Sequence, residues 1–166
     1  TVIWRKSEIC HQQQEWKYGG SQSNFSCNTA LIKHFKIYLM PIKAIIVYDE
    51  RLARTELKKL LQEFSDVLVI DEAANVDEGI EKIETLNPDL IFLDIQMPGK
   101  TGFDLLAELD KAPHVIFTTA YDEYALKAFE VNALDYLLKP IEPKRLSDAI
   151  HKLQYEMSKE NGEENG

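Results

Sequence analysis

Short apolar runs alternate with longer stretches of helical periodicity along the chain after residue 40. Five runs are rich in β-branched or aromatic residues, a composition typical of buried strands, and they lie at 43–47, 67–70, 89–93, 114–118 and 133–138. Between and after these runs, apolar residues recur at the spacing of one helix face: Leu57, Leu60, Leu61, Phe64, Val76, Ile80, Ile83, Leu105, Leu106, Leu109, Ala125, Ala128, Phe129, Leu146, Ala149, Ile150, Leu153 and Met157. The pattern therefore predicts five strands and five helices in strict alternation.

This alternation predicts an α/β fold with one parallel sheet. Right-handed crossovers between parallel strands place helices on both faces of such a sheet. The arrangement that we expect is a flavodoxin-like, doubly wound five-stranded sheet in the order 2-1-3-4-5. Ligands of these sheets bind beyond the carboxyl ends of the strands, where the first and third strands diverge. We therefore look for chemistry at that edge.

The two ends of the chain differ in composition from this central region. Residues 1–39 contain a polar His-Gln-Gln-Gln run and a stretch rich in Gly, Ser and Asn, without a clear period. We expect this extension to be largely disordered, and we hypothesise that it reflects a start codon assigned upstream of Met40. The folded domain is predicted at 40–157, and the polar residues 158–166 are predicted to form a linker or tail.

Charge and cysteine content exclude several classes of protein. The net charge is −9, but residues 40–166 carry 14 Lys and Arg against 26 Asp and Glu. Such an acidic surface repels phosphate backbones and anionic lipids, so we expect no direct nucleic-acid or membrane binding. Cys10 and Cys27 both lie outside the predicted domain, and neither a secretory signal nor a long apolar run is present. These features indicate a cytoplasmic protein.

Four polar residues follow different strands at the predicted edge. Asp49 follows the first strand, Asp94 the third, Thr119 the fourth and Lys139 the fifth. Two carboxylates with a hydroxyl and an ammonium suit phosphoryl transfer, in which a protein mainly positions groups and neutralises charge. The carboxylates also favour a hard divalent cation with oxygen ligands, for which Mg²⁺ is the obvious candidate.

Four motifs in this order carry a family resemblance. They lie at 47–54, at 92–99 (FLDIQMPG), at 117–120 (FTTA) and at 136–140 (YLLKP). Together they resemble the CheY-like receiver domain of bacterial response regulators, over residues 41–157. The sequence of residues 118–138 is similar to that of receivers attached to DNA-binding domains of the LytTR type, as in LytR/AlgR-like regulators.

The resemblance implies a role for each matching residue. Asp94 would be the phosphoacceptor, Asp49 a metal ligand, Gln96 a metal ligand through its backbone carbonyl, Thr119 the switch hydroxyl, Lys139 the partner of the phosphoryl group and Tyr136 the aromatic switch. The Lys139-Pro140 peptide bond would be cis.

One position departs from the family pattern. Receivers usually have two adjacent acids after the first strand, whereas this chain has Tyr48 before Asp49. Losing a group that orients metal-bound water weakens metal binding by roughly 10- to 100-fold, the usual scale for an outer-shell loss. Tyr48 therefore puts the efficiency of phosphorylation in doubt but leaves the fold prediction intact.

The resemblance implies a phosphorylation switch rather than a turnover enzyme. A sensor histidine kinase would phosphorylate Asp94, and the surface of the fourth helix, fifth strand and fifth helix would change and contact a partner or a second copy. DNA would be reached only through a C-terminal output domain that this chain does not contain. Two alternatives stay open: a degenerate receiver that only binds proteins or dimerises, and a small flavodoxin-like enzyme or nucleotide binder. The second lacks a Gly-rich phosphate loop after the first strand.

Overall fold

The computed structural model describes the backbone of residues 41–163 and the side chains of residues 41–160. The predicted extension at 1–39 lies outside the described residues. Strands and helices alternate as β1 (Ile42–Val47), α1 (Arg51–Leu61), β2 (Val67–Ala73), α2 (Val76–Leu86), β3 (Leu90–Asp94), α3 (Gly102–Glu108), β4 (His114–Thr119), α4 (Ala125–Glu130), β5 (Asp135–Leu138) and α5 (Pro143–Glu163). Within the described region, no helix has the length and apolar character needed to cross a bilayer.

The five strands form one parallel sheet in the order β2-β1-β3-β4-β5, which confirms the predicted flavodoxin-like topology. The register sets the functional edge. Val47 pairs with Leu93, Asp94 pairs with Thr118, and Thr119 pairs with Leu138. The residues that follow β1, β3, β4 and β5 therefore meet at one edge of the sheet.

An apolar core fills each face of the sheet. On one face, side chains of α1 and α5 pack on alternate strand residues, among them Leu57, Leu146, Leu153, Ile46 and Phe92. On the other face, side chains of α2, α3 and α4 do the same, among them Ile83, Leu105, Ala128, Ile45 and Phe117. All five residues of β3 are buried. Since a buried apolar side chain contributes about 1.5–3 kcal/mol, β3 is the best anchored element of the site.

Several element bounds differ from the sequence prediction, among them the start of β5 at Asp135 rather than 133, and two of the differences have identifiable reasons. The predicted second strand ends at residue 70, but β2 continues to Ala73 because Asp71 and Glu72 lie on an edge strand and pair with β1. Their carboxylates reach Lys82 and Lys58 at 3.1 and 2.9 Å. A polar edge strand lacks the apolar run that marks a buried one.

The second difference lies at the carboxyl end. Helix α5 continues to Glu163, so the predicted linker at 158–166 is helical over the part that the structure describes. Lys159 lies 3.5 Å from Glu156 and its Nζ lies 4.4 Å from the centre of the Tyr155 ring. Lys and Glu are good helix formers, and contacts three and four residues apart stabilise a polar helix that buries little surface.

Candidate functional site

Asp94 and Lys139 meet at the predicted edge of the sheet. Asp94 ends the buried strand β3 and is only 5% exposed, and Lys139 follows β5. Lys139 Nζ donates to Asp94 Oδ2, while Asp94 Oδ1 accepts from the backbone N–H of Gln96 at 3.1 Å. Both carboxylate oxygens are therefore paired, as a buried charge requires. The Lys139-Pro140 peptide is cis, as the family resemblance implies.

The loop after Asp94 is tied back to the end of β3. The N–H of Gly102 donates to the carbonyl of Ile95 at 2.9 Å, and Gln96 forms a bridge with Thr101. A Cβ at Gly102 would collide with the Asp94 carbonyl oxygen and lie 2.9 Å from Leu93 Cγ. Glycine is therefore required where α3 begins against the backbone of the candidate phosphoacceptor.

Tyr48, at the altered acidic position, is fully buried beneath the ion pair. Its side chain belongs to the core on the α1 and α5 face, and Lys139 Nζ lies 4.6 Å from the centre of its ring. Burial strongly raises the pKa of the phenol; nearby Thr118 partly opposes this rise, and the charge of Asp94 adds to it. The hydroxyl has no partner with full hydrogen-bond geometry. The phenol is therefore neutral and occupies the place of an acid.

Arg54 is a site residue whose role the sequence analysis did not assign. It lies one turn into α1, and its Nη1 donates to the carbonyls of Tyr48 and, at 3.1 Å, Asp49. Its Nε lies 3.6 Å from Glu72 on β2, and its side chain is only 11% exposed. Arg54 therefore fixes the backbone that carries Tyr48 and Asp49. An arginine within an otherwise exposed helical turn gives no periodic signal, so only the three-dimensional contacts identify it.

Two adjacent threonines end β4, and they face opposite sides of the sheet. Thr118 pairs with Asp94 and is fully buried, so it shares a face with Asp94. Thr119, the predicted switch residue, is 1% exposed, and its Oγ1 accepts from the N–H of Tyr121 at 3.4 Å. The structure brings Thr119 to the predicted edge, where its carbonyl accepts from the backbone N–H of Lys139 at 2.8 Å. In the described structure its hydroxyl makes no hydrogen bond to Asp94 or to the Lys139 ammonium. Strand alternation could have assigned Thr118 to the same face as Asp94.

The predicted aromatic switch lies on the other face of β5. Tyr136 is half-buried, and its hydroxyl donates to the carbonyl of Tyr121 in the loop after β4. Burial raises the pKa of its phenol, and Asp122 contributes to this rise. In the same region, Gln96 Nε2 donates to the hydroxyl of Tyr124 at 3.2 Å. Tyr136 and Gln96 thus both contact the segment between β4 and α4.

The oxygen donors of this edge fit a divalent cation by chemistry but are few. Asp94 offers a buried carboxylate, Asp49 an exposed carboxylate and Gln96 a backbone carbonyl, which are the ligand types that Mg²⁺ prefers. The described residues contain no cluster of three or more His, Cys, Asp and Glu side chains arranged to hold a metal. Asp49 makes no side-chain hydrogen bond in the described structure. These groups would leave most coordination positions to water.

The topology and the buried aspartate-lysine pair define a receiver-like signalling domain, and comparisons with known proteins agree. The response regulator receiver domain family matches residues 44–151, which is more than half of the chain. The chain belongs to this family.

Similar proteins include full-length regulators and isolated receivers. The chain is 50% identical over 121 residues to the transcriptional regulatory protein BtsR of Salmonella typhi, covering 72% of this chain and 51% of that protein. It is 51% identical over 114 residues to an uncharacterised response regulatory protein of Vibrio cholerae, covering 68% and 48%. The chain thus spans about half the length of these relatives.

Among solved structures, the receiver domain of the response regulator AraT from Geobacillus stearothermophilus is similar. It matches with a TM-score of 0.65 and 32% identity, over 73% of this chain and 98% of that one. The response regulatory domain of mrkE from Klebsiella pneumoniae matches with a TM-score of 0.64 and 32% identity, over 70% and 98%.

Proposed function

We propose that this receiver is cytoplasmic, accepts a phosphoryl group on Asp94 from a sensor histidine kinase and thereby controls a transcriptional output. The observation that carries this proposal is the buried Asp94 carboxylate with Lys139 bound to it at the carboxyl edge of the sheet. A carboxylate oxygen would attack phosphorus, and the histidine imidazole of the donor would leave. Water would later hydrolyse the acyl phosphate and return the carboxylate.

The surrounding residues supply charge and hydrogen bonds for this transfer. Lys139, which already donates to Asp94, would pair with the phosphoryl oxygens, and the Thr119 hydroxyl would turn toward them. Asp94, Asp49 and the Gln96 carbonyl would hold Mg²⁺, which when bound would screen the repulsion between the carboxylate and an anionic donor. Because Tyr48 replaces an acid, we expect the affinity for this ion to be weak. The domain catalyses only its own modification and dephosphorylation.

The switch would be read on the surface of α4, β5 and α5. Movement of Thr119 would release the loop that contacts Tyr136, and the ring of Tyr136 would turn inward. Leu126 and Phe129 on α4 are 81% and 83% exposed, which leaves apolar surface for a partner or a second copy. Since BtsR is named as a transcriptional regulatory protein, we propose a further DNA-binding domain of the LytTR type as the output. The acidic receiver itself would not contact DNA.

Phosphorylation of Asp94 is tested with purified protein, acetyl phosphate and a magnesium titration. We expect an acid-labile adduct of one phosphoryl group in the wild type and none in Asp94→Asn, because an amide cannot attack phosphorus. Asp110→Asn, which changes an exposed loop aspartate, is the matched control and retains incorporation. Circular dichroism verifies that all three proteins fold. Incorporation that persists in Asp94→Asn would refute the assignment.

A second candidate is a receiver that works without phosphate, through protein binding or dimerisation alone. The burial of Tyr48 in place of an acid favours it. A folded wild type that takes up no phosphoryl group at any magnesium concentration, from acetyl phosphate or from a kinase, would support this candidate over the first.

A further inference from the structure

The ring of Tyr48 and the ammonium of Lys139 are in direct contact beside Asp94. Lys139 Nζ lies 4.6 Å from the ring centre and also donates to Asp94 Oδ2. The Lys139 side chain is 23% exposed and the Asp94 side chain 8%. One ammonium is thus shared between a buried carboxylate and a buried aromatic face, on a side chain that is itself only partly exposed.

The position of Tyr48 follows from strand alternation. It directly follows β1, and its side chain lies on the same face of the sheet as Asp94 and Thr118. The Tyr48 and Asp49 carbonyls are fixed by Arg54, so the ring has little freedom to leave this place. An acidic residue at position 48 would attract metal cations to Asp94, whereas the neutral ring of Tyr48 attracts the Lys139 ammonium.

The energetic balance favours a role for this contact. A buried ion pair has lost most of its hydration, so its net stability depends on further contacts to both ions. A cation over an aromatic face gains the most when the pair is desolvated, on a scale that corresponds to roughly 30-fold in an equilibrium constant, compared with roughly 2- to 5-fold at exposed sites. The free energy of the contact with the ring is therefore large enough to determine the position of the Lys139 ammonium.

We propose that Tyr48 is a positioning residue that holds the Lys139 ammonium against Asp94. In this chain, the residue at position 48 thus helps to compensate the charge of the Asp94 carboxylate by holding the Lys139 ammonium, rather than by binding a metal ion. The meaning of this contact for phosphorylation rests on the proposed function, but the contact itself does not.

The first test observes the lysine directly by nuclear magnetic resonance. In protein labelled with ¹⁵N-lysine, the Lys139 ammonium signal is assigned by its loss in Lys139→Met. We expect slow proton exchange and a ring-induced shift in the wild type and in Tyr48→Phe, which keeps the aromatic face. Both features should be lost in Tyr48→Leu, or in Tyr48→Met if that variant folds better. An unchanged Lys139 signal in the folded aliphatic variant would overturn the proposal.

The second test measures the coupling between the two side chains. A double-mutant cycle of Tyr48→Leu and Lys139→Met should give a coupling of roughly 30-fold in the unfolding equilibrium constant. Tyr155 and Lys159 form a matched control, because Lys159 Nζ lies 4.4 Å from a ring that is 60% exposed. Tyr155→Leu and Lys159→Met should show only roughly 2- to 5-fold. Additive effects of the Tyr48 and Lys139 substitutions would overturn the proposal.

Both measurements use the unphosphorylated protein, which separates them from the proposed function. Coupling without incorporation at Asp94 would support the contact and refute phosphorylation. Incorporation at Asp94 without coupling between Tyr48 and Lys139 would support phosphorylation and refute the role of the contact.

Discussion

At the residue scale, we expect the residue at position 48 to control the Mg²⁺ affinity of the acidic edge. We expect Tyr48→Asp to bind Mg²⁺ roughly 10- to 100-fold more tightly than the wild type, because it adds a carboxylate beside Asp49 and Asp94. The same substitution should lower stability in the absence of Mg²⁺ by about 2–5 kcal/mol, since it leaves space where the ring was and adds a poorly paired charge. Isothermal titration calorimetry measures the affinity and urea unfolding measures the stability.

Tyr48→Asn is the matched control for this substitution. It leaves a similar space and removes the ring, but it adds no charge. An increase in affinity that is equal in Tyr48→Asn and Tyr48→Asp would show that the added carboxylate is not the cause.

The residues of this edge can be predicted from the sequence more readily than the contacts between them. Asp94 and Lys139 could be predicted as partners because parallel strands deliver their following residues to one edge. The burial of Tyr48 and its contact with Lys139 could not, because a tyrosine after an apolar strand fits both a core position and an exposed edge. The predicted roles of Asp49, Gln96, Thr119 and Tyr136 stay predictions.

At the scale of elements, α3 depends on its first turn. Thr101 Oγ1 accepts from the N–H of Asp104 at 3.3 Å, and Asp104 Oδ2 accepts from the N–H of Thr101 at 2.7 Å. The latter hydrogen bond lowers the pKa of Asp104 and so favours the ionised carboxylate that accepts it. With only seven residues, α3 has few internal hydrogen bonds, and this reciprocal cap also fixes the end of the loop from Asp94.

Removing the cap should therefore destabilise the domain. We expect Thr101→Ala to lower the free energy of unfolding by about 1 kcal/mol, within the usual range of roughly 0.5–2 kcal/mol. Thr85→Ala is the control, because Thr85 is exposed in the last turns of α2 and donates only to the Glu81 carbonyl. That control should change stability little, since alanine is the better helix former. Equal losses in both variants, measured by urea unfolding, would argue against the cap.

Element bounds show where periodicity carries information. The central strands β1, β3 and β4 lie within one residue of their predicted bounds because buried strands need continuous apolar runs. The edge strand β2 and the end of α5 extend beyond the predictions, because ion pairs rather than apolar burial accompany their outer residues. Ion pairs between elements depend on distances that the sequence does not contain.

At the scale of the whole molecule, α4 leaves two large apolar side chains almost fully exposed. On α4, Leu126 and Phe129 are more than 80% exposed, Val131 just after the helix is 40% exposed, and Leu138 on β5 is 48% exposed. Lys127, between them in sequence, is turned toward Phe103, with Nζ 4.2 Å from the ring centre. The exposed apolar side chains of Leu126 and Phe129, with the exposed Glu130 next in sequence, form the part of α4 where we propose that phosphorylation is read.

We expect this surface to mediate self-association when Asp94 is phosphorylated. In a twofold dimer each substitution counts twice, so Phe129→Glu or Leu126→Glu should weaken association at least roughly tenfold by placing a charge where apolar surface would be buried. Sedimentation velocity with and without acetyl phosphate and Mg²⁺ measures this effect. Leu52→Glu is the control, because Leu52 is 70% exposed on α1, away from the proposed surface. If Leu52→Glu weakened association as much as Phe129→Glu, general acidity of the domain rather than the α4 surface would explain the loss.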